Sequence, residues 1–115
     1  MRRGEIHLVN LDPAKSGEAN RRRPAVIVSN DGANVAAERT GKGVITVVPV
    51  ASNISRIYPF QVLLLASSTG LELDSKAQAE QVRSISVERL GPAIGEVPQD
   101  LMGDLDEALR LHLAL

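Results

Sequence analysis

Three consecutive arginines, Arg21, Arg22 and Arg23, stand directly against a β-branched run in the stretch RRRPAVIVSND. The strand does not need them in order to start. A guanidinium is a planar, permanently charged fork that matches two phosphate oxygens. Arg23 precedes Pro24, and a residue before proline is pushed toward extended backbone, so Arg23 has a fixed trajectory while Arg21 and Arg22 keep more freedom. A cation held on the lip of a rigid strand stabilises charge developing on a phosphate. Glu18 stands near the end of the same loop. The plain alternative is a surface arginine paired with Glu18.

A second group of chemically able residues lies in PVASNISRIYPFQV, residues 49–62. It has hydroxyls at Ser52 and Ser55, an amide at Asn53, a cation at Arg56, and the chain's two aromatics, Tyr58 and Phe60. Aromatics are only 2% of the chain, so their clustering beside a polar loop stands out. Rings in such a place stack on unpaired bases. The plainer expectation, preferred for Phe60, is a core residue, with Tyr58 half-buried at the rim. Gln81 and Arg83 interrupt an otherwise strand-like stretch, AQAEQVRSISV. His7 falls in a strand and His112 near a helix end; neither has a partner at metal-ligand spacing, and both are expected to be structural. No phosphate-binding glycine loop or dinucleotide fingerprint is present.

The elements that position these groups are short. GEIHLVNL alternates and reads as a strand. DPAKSGEANRRR is a long loop, and loops of that length are often functional. PAVIVSN is a central strand, with Pro24 tolerated at its first position. NDGANVAAERTGKG has a turn, an Ala-rich stretch of one or two helical turns and a Gly-rich return. VITVVPV is a strand ending at Pro49, FQVLLLAS a further strand, STGLELDSK a turn region, AQAEQVRSISV one strand, and ERLGPAIGEV a turn and short strand. Then the period changes. Leu101, Leu105, Ala108, Leu109 and His112 mark an amphipathic helix, with Pro98 at its first position and Asp100 and Asp104 in its N-terminal half. Leu111, Leu113 and Leu115 lie off that stripe and hint at a partner surface. The expected architecture is α+β and mainly β: a small antiparallel barrel or strongly bent sheet capped by a C-terminal helix.

With 115 residues the chain is expected to be one domain, residues 1–115. Hydrophobic residues at 43% and charged residues at 23% are ordinary for a globular protein. There is no apolar run of spanning length, no signal-peptide pattern at the N-terminus and no cysteine, and the expected location is cytoplasmic. The net charge of −1 excludes a globally basic binder, but the charge is unevenly spread. Residues 1–23 carry six cations against three anions, and residues 96–110 carry five anions against one cation. That polarity fits an anionic ligand held at one place, or two unrelated solvated faces.

The motifs RRGEIHLVNLDPAKSGEANRRRPAVIVSND, VVPVASN, YPFQVLL, AQAEQVRSI and LDEALRLHL, in this order, resemble the MazF/PemK-type toxins, the mRNA interferases of bacterial type II toxin–antitoxin systems. The resemblance covers nearly the whole chain. It implies a small SH3-like barrel, the CcdB/Kid-like toxin fold, forming two-fold homodimers. It implies sequence-specific cleavage of single-stranded RNA without a metal or other cofactor. The 2′-hydroxyl attacks the adjacent phosphate and leaves a 2′,3′-cyclic phosphate and a 5′-hydroxyl. The family's catalytic arginine falls on Arg23 and its loop acid on Glu18. Arg21, Arg22, Asn53, Arg56, Tyr58, Gln81 and Arg83 become candidates for RNA contacts. The implied protein partner is a MazE-like antitoxin, acidic and partly disordered, laid in the RNA groove.

One position departs from the pattern. The family's catalytic threonine falls on Ala51, which has no hydroxyl. Ser52 is next to it, but adjacent strand residues face opposite ways unless a bulge or turn re-aims one. Either Ser52 supplies the hydroxyl, or the chain is a weakened or inactive relative that only binds RNA or antitoxin. A third reading is inhibition of DNA gyrase, because another toxin group shares the fold.

Overall fold

A computed structural model describes all 115 residues. Seven antiparallel strands form one bent sheet: β1 (Glu5–Asn10), β2 (Arg22–Ile27), β3 (Val44–Ala51), β4 (Gln61–Leu64), β5 (Ser75–Gln78), β6 (Arg83–Ser86) and β7 (Leu90–Glu96). Their order is β4-β5-β3-β2-β1-β7, with β6 also on β3. Three α-helices complete the chain: α1 (Asp31–Thr40), the single turn α2 (Ala66–Thr69) and α3 (Gln99–Leu113). No helix is long and apolar enough to cross a membrane.

The β-branched runs at the centre are apolar on both sides because both faces of the sheet are covered. Val26, Val48 and Val50 join Ile6, Leu64, Met102, Leu105 and Ala108 in one core, beneath α3. Their strand neighbours Ala25, Ile27, Ile45 and Val47 join Val9, Leu11, Ala37 and Ile85 in a second core, beneath α1. The period of two thus sorts each strand between two cores.

Several sequence expectations are corrected. The Ala-rich stretch is a ten-residue helix, α1, rather than one or two turns. Asn30 caps it, accepting from the Ala33 amide at 2.8 Å, and Gly41 ends it with φ 68°. AQAEQVRSISV is two strands, not one. Val50 pairs with Ala77 and Val47 with Arg83, so the partner chain carries extra residues. They form a 3-10 turn over Ala79–Gln81. β3 runs through Pro49 to Ala51. The turn region after β4 contains α2. On α3, Met102 is buried and His112 is exposed, and Pro98 caps the helix rather than entering it. Phe60 is half-buried outside both cores, stacked on Tyr58 at 5.3 Å between ring centres.

The basic and acidic ends also meet. Arg3 bonds to Asp106 of α3 at 2.5 Å, while its Nε donates to the Val28 carbonyl at 2.8 Å. That cation is spent on joining the chain's two ends.

Candidate active site

β3 changes partners along its length. Along one edge Val44–Val47 pair with β6 and Val50 and Ala51 with β5; along the other edge only residues 47–49 pair with β2. Arg22, Arg23 and Pro24, the start of β2, pair only with β1. Two strand ends therefore face each other without a ladder between them. The gap opens into a cleft of about 820 Å³.

One wall of the cleft is Arg21, Arg22, Arg23 and Pro24; the other is Val50, Ala51, Ser52 and Asn53. Leu8, Ile94, the segment 70–73 and Ser75 complete the lining. The sequence-predicted Arg21, Arg22, Arg23, Ala51, Ser52 and Asn53 are thus brought together. The chain bends at Ser52, immediately after β3 ends. That bend lets Ala51 and Ser52 both line the cleft, which strict strand alternation forbids.

Arg23 is held by an uncharged partner. Its Nε donates to the Asn20 carbonyl at 2.9 Å, and Nη2 donates to Asn20 Oδ1 at 3.1 Å. The ion pairs of the chain all involve other residues. Arg23 is therefore oriented without being neutralised, which is the arrangement an anion site needs. Arg21 has φ 64°, in the left-handed region that a non-glycine residue seldom adopts. Its amide donates to Asp12 Oδ1 at 2.8 Å and its carbonyl accepts from the Leu11 amide at 3.0 Å, closing the loop 12–20 at its base.

The other candidates lie outside the cleft lining. Glu18 is exposed on the loop, and its Oε1 accepts from the Lys15 amide at 2.6 Å. Gln81 uses its whole amide on that loop: Oε1 accepts from the Ala19 amide at 2.9 Å, and Nε2 donates to the Gly17 carbonyl at 3.0 Å. Arg83 donates to the Leu11 carbonyl at 3.3 Å. Arg89, unremarked in the sequence, donates to the Asn10 carbonyl at 3.2 Å and to that of Asp12. Arg56 stands 4.7 Å over the Tyr58 ring, and Phe60 lies parallel to the same ring. Asn53 Oδ1 accepts from Ser55, both amide and hydroxyl, which shapes the turn after Ser52.

His7 is buried, with Nδ1 2.9 Å from the Gly91 carbonyl and Nε2 2.9 Å from Glu5 Oε1. That bond holds the Glu5 carboxyl below its usual range. The imidazole is structural, joining β1 to β7.

Sequence reasoning missed the segment 70–73 of the cleft lining. Gly70 has φ 85° and stands against Gly95 of β7; a Cβ on Gly95 would lie 2.5 Å from the Thr69 carbonyl oxygen. This close approach packs the chain leading into residues 70–73 against β7. The two glycines were the available signal, but nothing in the sequence pairs them.

The family described as PemK-like, MazF-like toxin of type II toxin–antitoxin system matches residues 2–113. Endoribonuclease MazF9 of Mycobacterium tuberculosis is 64% identical over 115 residues, all of this chain and 98% of that relative. The crystal structure of MazF from Deinococcus radiodurans superposes with TM-score 0.79 at 26% identity, covering 100% of this chain and 97% of that one. A MazE–MazF structure from the same organism superposes with TM-score 0.70 at 25% identity, covering 100% and 96%.

Proposed function

This chain belongs to the PemK-like, MazF-like toxin family of type II toxin–antitoxin systems, and from that premise we propose how its cleft cuts RNA. It is an endoribonuclease, the toxin of such a pair, and its protein partner is an antitoxin. Neither a binding-only relative nor a gyrase inhibitor is favoured, since the 64% identical relative is named an endoribonuclease.

A single RNA strand lies in the cleft where β2 and β3 part. Its scissile phosphate meets Arg23, with Arg21 and Arg22 beside it. The 2′-hydroxyl oxygen attacks phosphorus, the bond to the 5′-oxygen breaks, and that oxygen takes a proton from solvent water and leaves as a 5′-hydroxyl. A 2′,3′-cyclic phosphate remains. Arg23 neutralises the charge gathered on the phosphoryl oxygens. It does not act as the base, because a guanidinium keeps its proton up to a pH above about 12. Ser52, at the bend beside Ala51, donates its hydroxyl to a phosphoryl oxygen, and Asn53 sets that bend.

Glu18 is our candidate to accept the 2′-hydroxyl proton. Its loop brings it round from the Lys15 amide when RNA binds, and an unchanged rate in Glu18→Gln would remove it from that role. Gln81 and Arg83 serve the RNA by holding the loop that ends in Arg21. Arg56 and Tyr58 meet nucleotides beyond the cleft, where a base must displace Arg56 from the ring. Two copies form a two-fold dimer, which doubles the cationic surface. The protein acts in the cytoplasm on single-stranded mRNA.

The observation that supports this reading best is Arg23, oriented by Asn20 and unpaired by any carboxylate, in a cleft shared with Ser52. The test is incubation of the purified protein with a long single-stranded RNA in EDTA. Discrete fragments with 5′-hydroxyl ends support it. Retarded but intact RNA, or intact RNA with gyrase inhibited, contradicts it.

A further inference from the structure

Glu72 lines the same cleft as the three arginines. It is exposed and belongs to none of the chain's ion pairs. A cleft built only to grip phosphate would be weakened by a carboxylate facing it, since like charges repel. Its position is also well fixed. Leu71 on one side is buried and its amide donates to Thr69 Oγ1 at 3.3 Å. On the other side, Asp74 Oδ1 accepts from the Ala66 amide at 2.8 Å, and Ser75 Oγ donates to the Leu73 carbonyl at 2.9 Å.

The surroundings of Glu72 suit a base rather than a phosphate. Leu71 and Leu73 flank it, and Leu8, Val50 and Ile94 line the same cleft. Leu73 is 63% exposed, an apolar surface with no cover from the chain. The cleft thus combines cations for the backbone with an apolar, acceptor-bearing segment for a nucleobase.

Resting on the ribonuclease reading above, we propose that Glu72 is a specificity-determining residue that selects guanine at one position beside the cut. A carboxylate offers two parallel acceptors. Guanine alone among the four bases presents two adjacent N–H donors, N1–H and N2–H, on its Watson–Crick edge. Adenine, cytosine and uracil each set a single donor next to an acceptor, which the carboxylate repels. Single-stranded RNA exposes this edge for reading, and Leu73 packs against the face of the same base.

The test is cleavage of a random-sequence RNA pool by the unsubstituted protein and by Glu72→Gln, with the fragment ends sequenced. Glu72 is exposed, so the substitution leaves the fold intact. The unsubstituted protein is expected to enrich guanine at one fixed position. Glu72→Gln, which replaces one acceptor by a donor, is expected to lose that preference by roughly 10- to 100-fold, and Glu72→Asp to keep part of it. Cutting without guanine enrichment, or a Glu72→Gln pattern unchanged except in rate, overturns the assignment. Failure of the unsubstituted protein to cut at all would remove the ribonuclease reading itself, and this inference with it.

Discussion

Pro49 of β3 pairs with Ala25, the residue that follows Pro24 on β2. The two prolines mark the point where the strands part. Proline has no backbone N–H to give to a ladder, so each strand lacks a donor where pairing would otherwise run on. Beyond that point β2 is paired only through β1, and β3 only with β5 on its other edge. The cleft that carries Arg23 and Ser52 follows from this pair of residues.

The hydroxyl that the family pattern leads one to expect at Ala51 is supplied in our account by Ser52. Ser52→Ala is expected to slow RNA cleavage by roughly 10²–10³-fold, the effect of losing one preorganised donor. Adding Ala51→Thr to that variant is expected to restore most of the rate. Single-turnover cleavage of a short RNA reads both, and an unchanged rate in Ser52→Ala would exclude the hydroxyl from the reaction.

Gln81 holds the loop 12–20 through two hydrogen bonds to its backbone. Gln81→Leu keeps the volume and removes both. We expect faster proteolytic nicking within that loop and a stability loss of about 1–3 kcal/mol, read by limited proteolysis and urea unfolding. Equal nicking rates would show that Arg83 and Arg89 suffice to hold it.

Stability should fall in acid for a nameable reason. The Glu5 carboxyl lies below its ordinary value of 4.5, chiefly because of its bond to His7, and Asp31 is lowered chiefly by the Arg3 amide. Each carboxylate therefore contributes fully above its ordinary value, and the contribution is lost as pH falls through the lower value of the folded chain. Urea midpoints taken from about pH 6 down to about pH 3 should drop less steeply in Glu5→Gln than in the unsubstituted protein. Parallel curves would contradict this.

Gly95→Ala places a methyl group 2.5 Å from the Thr69 carbonyl oxygen. The backbone must shift, at an expected cost of about 1–3 kcal/mol, and the shift moves residues 70–73 away from the cleft. Thermal unfolding gives the first effect, and altered RNA cleavage with Arg23 intact gives the second.

These residues also show what was legible in the sequence. β-branched runs gave the central strands, because both sheet faces are buried. The 3.6-residue period gave α3, although its buried stripe includes Met102 and ends before His112, which is exposed. Arg21, Arg22, Arg23, Ser52 and Asn53 were readable from residue type and Ala51 only from the family resemblance, and they do share a cleft. What was illegible depends on distant meetings. Gln81 reaches 62 residues back to Ala19, and Gly70 meets Gly95 across two elements. Neither contact leaves a local period or motif. The split of AQAEQVRSISV arises because β3 bends and its partner must take up three more residues. α1 was underestimated because Asn30, in a turn-like sequence, is in fact a helix cap.

The central claim concerns Arg23, and the most direct measurement is the single-turnover cleavage rate of single-stranded RNA in EDTA by Arg23→Ala and Arg23→Lys. We predict that Arg23→Ala loses at least about 10²-fold in rate with its unfolding curve unchanged, and that Arg23→Lys, which keeps the charge but not the planar fork, recovers only a part. Cutting by a folded Arg23→Ala protein at the unsubstituted rate would contradict the account.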